Sequence, residues 1–286
     1  MKRFLVLTWF CLIACSCAQP EDTNTNVVAP STDTSSTQED VRLTCKSESQ
    51  AQIDAFVSEL DATAVEVLHN GEPIYSYGDV ARTDGLYVAS VRKSLLALLY
   101  GPWVENGTIN LETTLGDLDF DDIEGLSPQE KRASVRDLIT SRSGIYHLAS
   151  NGGDEENKPA RGSKAPGEYF LYNNWDFNAA GAVFEQLTGK SVYTAFDEQI
   201  ATPIGLQDYD AEFHNENRVK TDADSASTSP PYHFSLSARD MARVGQLVAQ
   251  RGDWPGEQII SESWIAEMLS AHSTLDEVRA SRPRSP

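Results

Sequence analysis

Ser90-Val91-Arg92-Lys93-Ser94-Leu95-Leu96-Ala97-Leu98-Leu99-Tyr100 is the stretch on which the reading of this chain turns. Its apolar residues recur at helical spacing, with Val91, Leu95, Leu98 and Leu99 in one broad stripe, and so predict a deeply buried helix. Residues three apart on a helix share a face, which places the Lys93 amine beside the Ser90 hydroxyl. A serine hydroxyl is a weak nucleophile until a neighbouring base takes its proton. Lysine can be that base when burial and nearby positive charge lower its pKa. Free N–H groups at the start of the same helix could stabilise an oxyanion on an attacked carbonyl. A chain of this Ser and Lys content yields about one S-x-x-K by chance. This match gains weight from its setting, because it is the only one and it opens the most hydrophobic helix after the N-terminal segment.

Working outward, residues 51–60 carry Ile53, Phe56, Val57 and Leu60 on one helical face and predict an opening helix. Two alternating runs then flank Asn70-Gly71, the strongest short signal for a β-hairpin, so an antiparallel sheet begins the domain. Residues 101–190 alternate acidic loops with helical segments, notably 135–141 and 178–187, the latter stopped by Gly189. That predicts a mostly helical lobe. Amphipathic helices follow over 239–251 and over 262–269 around Trp264. Periodicity alone says mixed α and β.

At the N-terminus, Lys2 and Arg3 precede the apolar run Phe4 to Ala14, too short to span a bilayer and suited to a secretory signal peptide over residues 1–14. Leu12-Ile13-Ala14-Cys15 resembles a bacterial lipobox, which implies Cys15 as the lipid-bearing first residue of a membrane-anchored, exported lipoprotein. Cleavage nearby, after Ala18, is the alternative. Residues 15–46 are rich in Ser, Thr, Asp and Asn and predict a flexible tether. An oxidising compartment would permit a disulfide between Cys17 and Cys45. The catalytic-type domain is expected over 47–278, before a basic, Pro-rich tail at 279–286.

The net charge of −20, from 43 acidic and 23 basic residues, argues against a surface that tracks nucleic-acid phosphates. Neither a phosphate-binding glycine loop nor a G-x-S-x-G elbow occurs, and no spaced His, Cys or carboxylate cluster suggests a metal site. His147, just after Ser143-Gly144, is a lesser site candidate, with a loop or helix-end position as its default reading.

Tyr172-Asn173-Asn174 supplies a second element. A phenol beside a buried ammonium becomes more acidic, and can then serve as base toward the serine and as acid toward the leaving group. Asn174 could aim its amide at a substrate carbonyl or at the lysine. The plainer reading is a turn before a helix, with Asn173 or Asn174 as its N-cap.

Taken in order, Ser90-Val91-Arg92-Lys93 and Tyr172-Asn173-Asn174 resemble the serine β-lactamase-like family of class C β-lactamases, D-alanyl-D-alanine carboxypeptidases, esterases and amide hydrolases. Asp137 to Ile145 looks like that family's "LLTHTSGL" segment, Pro203-Ile204-Gly205-Leu206 is similar to its "PLGM", and Ser237 to Arg243 resembles the helix that follows. The resemblance covers about residues 51–272. It implies an α+β fold: an antiparallel sheet flanked by helices with an inserted, mostly helical lobe, β-lactamase/transpeptidase-like. It also implies an acyl-enzyme mechanism on an amide, ester or β-lactam carbonyl, with Ser90, Lys93 and Tyr172 catalytic and Asn174 binding substrate. No cofactor is needed, and the implied partner is a small-molecule or peptide acyl substrate. The family's third motif, K-T-G or H-x-G on an edge strand, is not found beyond the helix at 262–269, and Lys220-Thr221-Asp222 lacks the glycine. The domain is therefore expected to be C-terminally incomplete, and a slowly acylated or non-catalytic penicillin-binding-like protein, or a truncated pseudoenzyme, stands as the alternative. Arg92, Arg142 and Arg161 could each meet a substrate carboxylate, with a surface position as the default for all three.

Overall fold

The computed structural model describes residues 50–84, 86–152 and 158–281. The signal peptide, Cys15, the tether and the Cys17/Cys45 pair all lie outside these residues. The chain divides into two units, Met1–Ala55 and Phe56–Pro286, and of the first only the helical residues 50–55 are described.

Residues 50–59 form helix α1. Strands β1 (Ala64–His69) and β2 (Glu72–Gly78) follow, then helices α2 (Val91–Glu105), α3 (Val135–Ile139), α4 (Asn174–Thr188), α5 (Val192–Phe196), α6 (Ala211–Glu216) and α7 (Ala238–Ala249). The short strands β3 (Asp253–Trp254) and β4 (Glu257–Gln258) precede α8 (Glu262–Leu269) and α9 (Leu275–Ala280). Among the described residues no helix is long and apolar enough to cross a membrane.

The predicted hairpin forms because Asn70 (φ +51°) and Gly71 (φ +87°) both take left-handed conformations, the turn whose twist matches paired strands. β1 and β2 pair antiparallel from Ala64↔Gly78 to His69↔Glu72, with an irregularity between Val67 and Leu68. Helix α7 lies against β1. Among the described residues the ladders are two-stranded, β1–β2 and β3–β4, and isolated antiparallel bridges lie outside them at Tyr87↔Ser235 and Thr114↔Ser134. The sheet is thus small, and the helical lobe holds most of the core.

That core is built from α2, α4, α5 and the loops between them. Leu95, Leu96, Leu98, Leu99 and Tyr100 of α2 are all buried, so the helix is covered on nearly every side rather than along one stripe. Val91 was expected in that stripe, but it is 43% exposed, because it stands at the helix's first residue, where the chain emerges at the surface. In α1 only Val57 is buried, while Ile53 and Phe56, like Leu60 just beyond the helix, remain exposed.

Helix α4 starts four residues earlier than its periodicity suggests. Asn173 caps it by accepting from the Asp176 N–H at 2.8 Å, and Gly189 at φ +68° ends it as predicted. Helix α3 stops at Ile139, short of the expected 141, since Ser141 turns to φ +58°. Helix α9 runs through Ala280, so the first residues read as a basic tail are helical.

Candidate active site

The segment leading into α2 is held by Val88 N–H donating to Phe234 O at 2.9 Å. Ala89 then takes φ +46°, a left-handed conformation that a residue with a Cβ seldom adopts, and this sharp turn presents Ser90 at the surface. The N–H groups of Val91, Arg92 and Lys93 donate back to the carbonyls of Val88, Ala89 and Ser90. They are not the free donors expected of a helix start, because the chain enters through a tight turn. The Ser90 N–H has no acceptor among the described residues. The Ser90 side chain makes no capping bond to α2.

One turn on, Lys93 is 6% exposed. Its Nζ donates to Ser90 Oγ at 3.2 Å, to the Tyr172 hydroxyl at 2.7 Å and to Asn174 Oδ1 at 2.8 Å. An ammonium has three donors, and these three contacts use them all. The amine also leans over the ring of Tyr172, 4.3 Å from its centroid, and toward that of Phe177 at 5.2 Å. Helix α2 thus supplies serine and lysine, and the start of α4 supplies the tyrosine and asparagine. Asn173 is the N-cap, as the plainer reading expected, and Asn174 is the first helical residue, with its side chain bonded to Lys93.

A second layer fixes the Tyr172 turn. Leu171 N–H donates to Ser141 O at 2.9 Å, and Asn174 Nδ2 donates to Gly152 O at 3.1 Å. In the first turn of α4, Asp176 accepts from Ser143 Oγ at 2.6 Å and so ties the helix to the Ser143-Gly144 turn. Burial pushes the Asp176 carboxyl up to about 7, and its Oδ2 has no partner. Gly144 is required there: at φ +72°, an added Cβ would stand 2.9 Å from Lys164 O.

Beside Ser90 opens a cavity of about 310 Å³. Leu111, Ile139, Phe177, Trp264 and Met268 give it apolar walls, and Lys93 and Tyr172 stand at its floor. Residues of α8 close one side, anchored by Trp264 Nε1 donating to Ala97 O at 2.9 Å.

The other candidates lie elsewhere. His147 is buried, with its ring against Trp175, Nδ1 3.9 Å from Asp122 and Nε2 3.6 Å from Glu130; it does not line the cavity. Arg92 is not a surface charge but 1% exposed, bonded to Asn178 Oδ1 at 2.9 Å and set over the Tyr232 ring. Arg142 Nη2 donates to His272 O, Ser273 Oγ and Glu277 Oε1, clamping the start of α9. Arg161 makes a bidentate bond to Glu130. Among the described residues no group of acidic, His or Cys side chains could hold a metal ion.

The sequence pattern of the β-lactamase family matches residues 53–283. The chain belongs to the β-lactamase family. This family member shares its fold with solved structures at low sequence identity. One, described as a 6-aminohexanoate-dimer hydrolase from Bacillus anthracis, superimposes with a TM-score of 0.55 at 19% identity, over 76% of this chain and 61% of that one. A protein described as a β-lactamase from Bacteroides dorei gives 0.56 at 19%, over 82% and 70%. The octameric penicillin-binding protein homologue from Pyrococcus abyssi gives 0.53 at 20%, over 77% and 60%. The match to the Bacillus protein spans less than two thirds of that protein's own length. These neighbours carry the α+β assignment, with its small sheet and helical lobe.

Phe177, Gly152 and the Ser143–Asp176 pair are the parts of the site that motif reading missed. Phe177 had one usable signal: it lies in the helix that Asn173 caps, one turn after Asn174.

Proposed function

We propose that this β-lactamase-family chain is a serine hydrolase that works through an acyl-enzyme on an amide, ester or β-lactam carbonyl. One observation carries the reading: a single buried amine, Lys93 Nζ, bonds Ser90 Oγ, Tyr172 OH and Asn174 Oδ1 at once. In acylation Ser90 Oγ bonds to the substrate carbonyl carbon, and its proton passes through the Lys93–Tyr172 pair to the departing nitrogen or oxygen as the acyl bond breaks. The Ser90 N–H supports the oxyanion. In deacylation water adds to the acyl carbon, the same pair takes a proton from it, and that proton returns to Ser90 as the acid leaves. Asn174 orients Lys93 and borders the substrate. Export and lipid attachment at Cys15 remain part of the proposal, on the strength of the N-terminal sequence.

A second reading is acylation at Ser90 with little or no turnover. Intact-mass spectrometry after exposure to a fluorophosphonate and, separately, a fluorescent penicillin tests both, with Ser90→Ala as control. An adduct absent in the control supports the nucleophile, and its rate of decay separates hydrolase from slow binder. No adduct in folded protein would overturn both readings.

A further inference from the structure

Among the described residues, the cations that line the cavity beside Ser90 are already engaged by other groups of the protein. Resting on the acyl-enzyme reading above, we infer that this site takes neutral acyl donors with a small apolar acyl group, and discriminates against substrates bearing a carboxylate on the acyl group.

The walls are the first part of the argument. Leu111, Ile139, Phe177, Trp264 and Met268 face the space, and its volume of about 310 Å³ lies at the small end of the about 300–1,000 Å³ typical of ligand sites. A small apolar group entering it sheds part of its water and gains contact with these side chains.

Charge is the second part. Besides Lys93, whose three donors are engaged within the site, Arg136 is the one Lys or Arg that lines the cavity among the described residues. Its Nε is bonded to Glu112 at 2.8 Å, and its Nη1 reaches Glu267 at 3.5 Å. Glu267 also lines the cavity, and His272 leans on the same residue, with Nε2 2.9 Å from its backbone oxygen and 3.9 Å from its carboxylate. The polar wall is therefore an arginine already matched by two carboxylates. A substrate carboxylate placed there would have to displace Glu267 from Arg136 or lie beside its like charge. The three other arginines that the sequence offered are buried behind the site or clamped to other segments, as described above, and the net charge of −20 adds long-range repulsion.

The test compares two esters of equal acyl length, 4-nitrophenyl butyrate and the monoester 4-nitrophenyl hemisuccinate, with the full chain and its Ser90→Ala variant. In each case the Ser90 oxygen bonds to the acyl carbon, 4-nitrophenolate leaves, and the serine proton is released through the Lys93–Tyr172 pair. The expected result is Ser90-dependent acylation at least about tenfold faster with butyrate, a ratio that narrows as salt screens the site. Glu267→Gln is expected to move the ratio toward hemisuccinate by severalfold. Equal or faster Ser90-dependent reaction with hemisuccinate overturns the inference and leaves the acyl-enzyme reading standing. Absence of Ser90-dependent nitrophenolate release from both esters, in protein with a native circular-dichroism spectrum, overturns the acyl-enzyme reading and this inference with it.

Discussion

Lys93 touches Tyr172 in two ways: its amine donates to the phenol oxygen at 2.7 Å and also lies 4.3 Å from the centroid of the same ring. Tyr172→Phe keeps the ring and removes only the proton-carrying oxygen. The rate of fluorophosphonate labelling at Ser90 is expected to fall about 10²- to 10⁴-fold, the usual worth of a positioned acid or base. Tyr172 is 39% exposed, so the unfolding free energy should change by less than about 1 kcal/mol. A large loss of stability together with unchanged labelling would remove Tyr172 from the chemistry.

Asn174 holds Lys93 with its oxygen and the Gly152 carbonyl with its nitrogen. Residues that share one network are not independent when mutated. Asn174→Ala and Lys93→Met should each slow labelling, and the double variant should be little slower than Lys93→Met alone. A multiplicative effect, read from the labelling rates of all four proteins, would mean that Asn174 does not act through the lysine.

Asp176 gives a pH prediction whose sign follows from its raised pKa, about 7 against 3.8 in an unfolded chain. Between those values the native state holds a proton that the unfolded state has lost, so this group's contribution to stability falls as pH rises, then levels off above about 7. Asp176→Asn mimics the protonated form and cannot ionise. Denaturant titrations at pH 5 and pH 8 should show the variant gaining on the wild type at the higher pH, by about 1.4 kcal/mol for each pH unit crossed within the window. A constant difference between the two proteins would mean that Asp176 is ionised in the fold throughout.

Gly101 in the middle of α2 sits where an added Cβ would come 2.6 Å from Cδ1 of Trp264. Alanine is the better helix former by about 1 kcal/mol, but the clash with the buried indole works against it. Overpacking of this kind costs about 1–3 kcal/mol, so a lower Tm is expected for Gly101→Ala. Displacement of Trp264 should also change the wall of the cavity, raising KM for a small ester more than it lowers kcat. An unchanged KM would show that α8 adjusts without disturbing the cavity.

The Ser90–Lys93 pairing was legible because helix geometry sets it over three residues, whereas Tyr172 and Asn174 were joined to it by the resemblance to the β-lactamase family. The hairpin was legible for a similar reason, since Asn70-Gly71 demands one particular turn. What escaped depends on contacts between distant segments. Ser143 and Asp176 are 33 positions apart, and no period in the sequence joins them. Arg92 has a surface position as its default reading, yet it is buried, with the Asn178 side chain and the Tyr232 ring taking part of the place of water. The exposure of Val91 was missed because periodicity marks a face of a helix but not how far along that face the covering elements reach.

Helix α2 begins with Ala89 forced to φ +46° and with a serine that lends no hydroxyl to the helix end. Left-handed backbone at a residue with a Cβ is unfavourable by about 1–2 kcal/mol, and a good cap is worth about 1 kcal/mol. The turn that we propose carries the nucleophile is therefore under local strain. Directed evolution that rewards heat resistance alone would be drawn to this turn early, with Ala89→Gly among the simplest relaxations. It would harden the scaffold while blunting the presentation of Ser90, so a library built on this chain keeps its chemistry only if every round also selects for labelling of the serine.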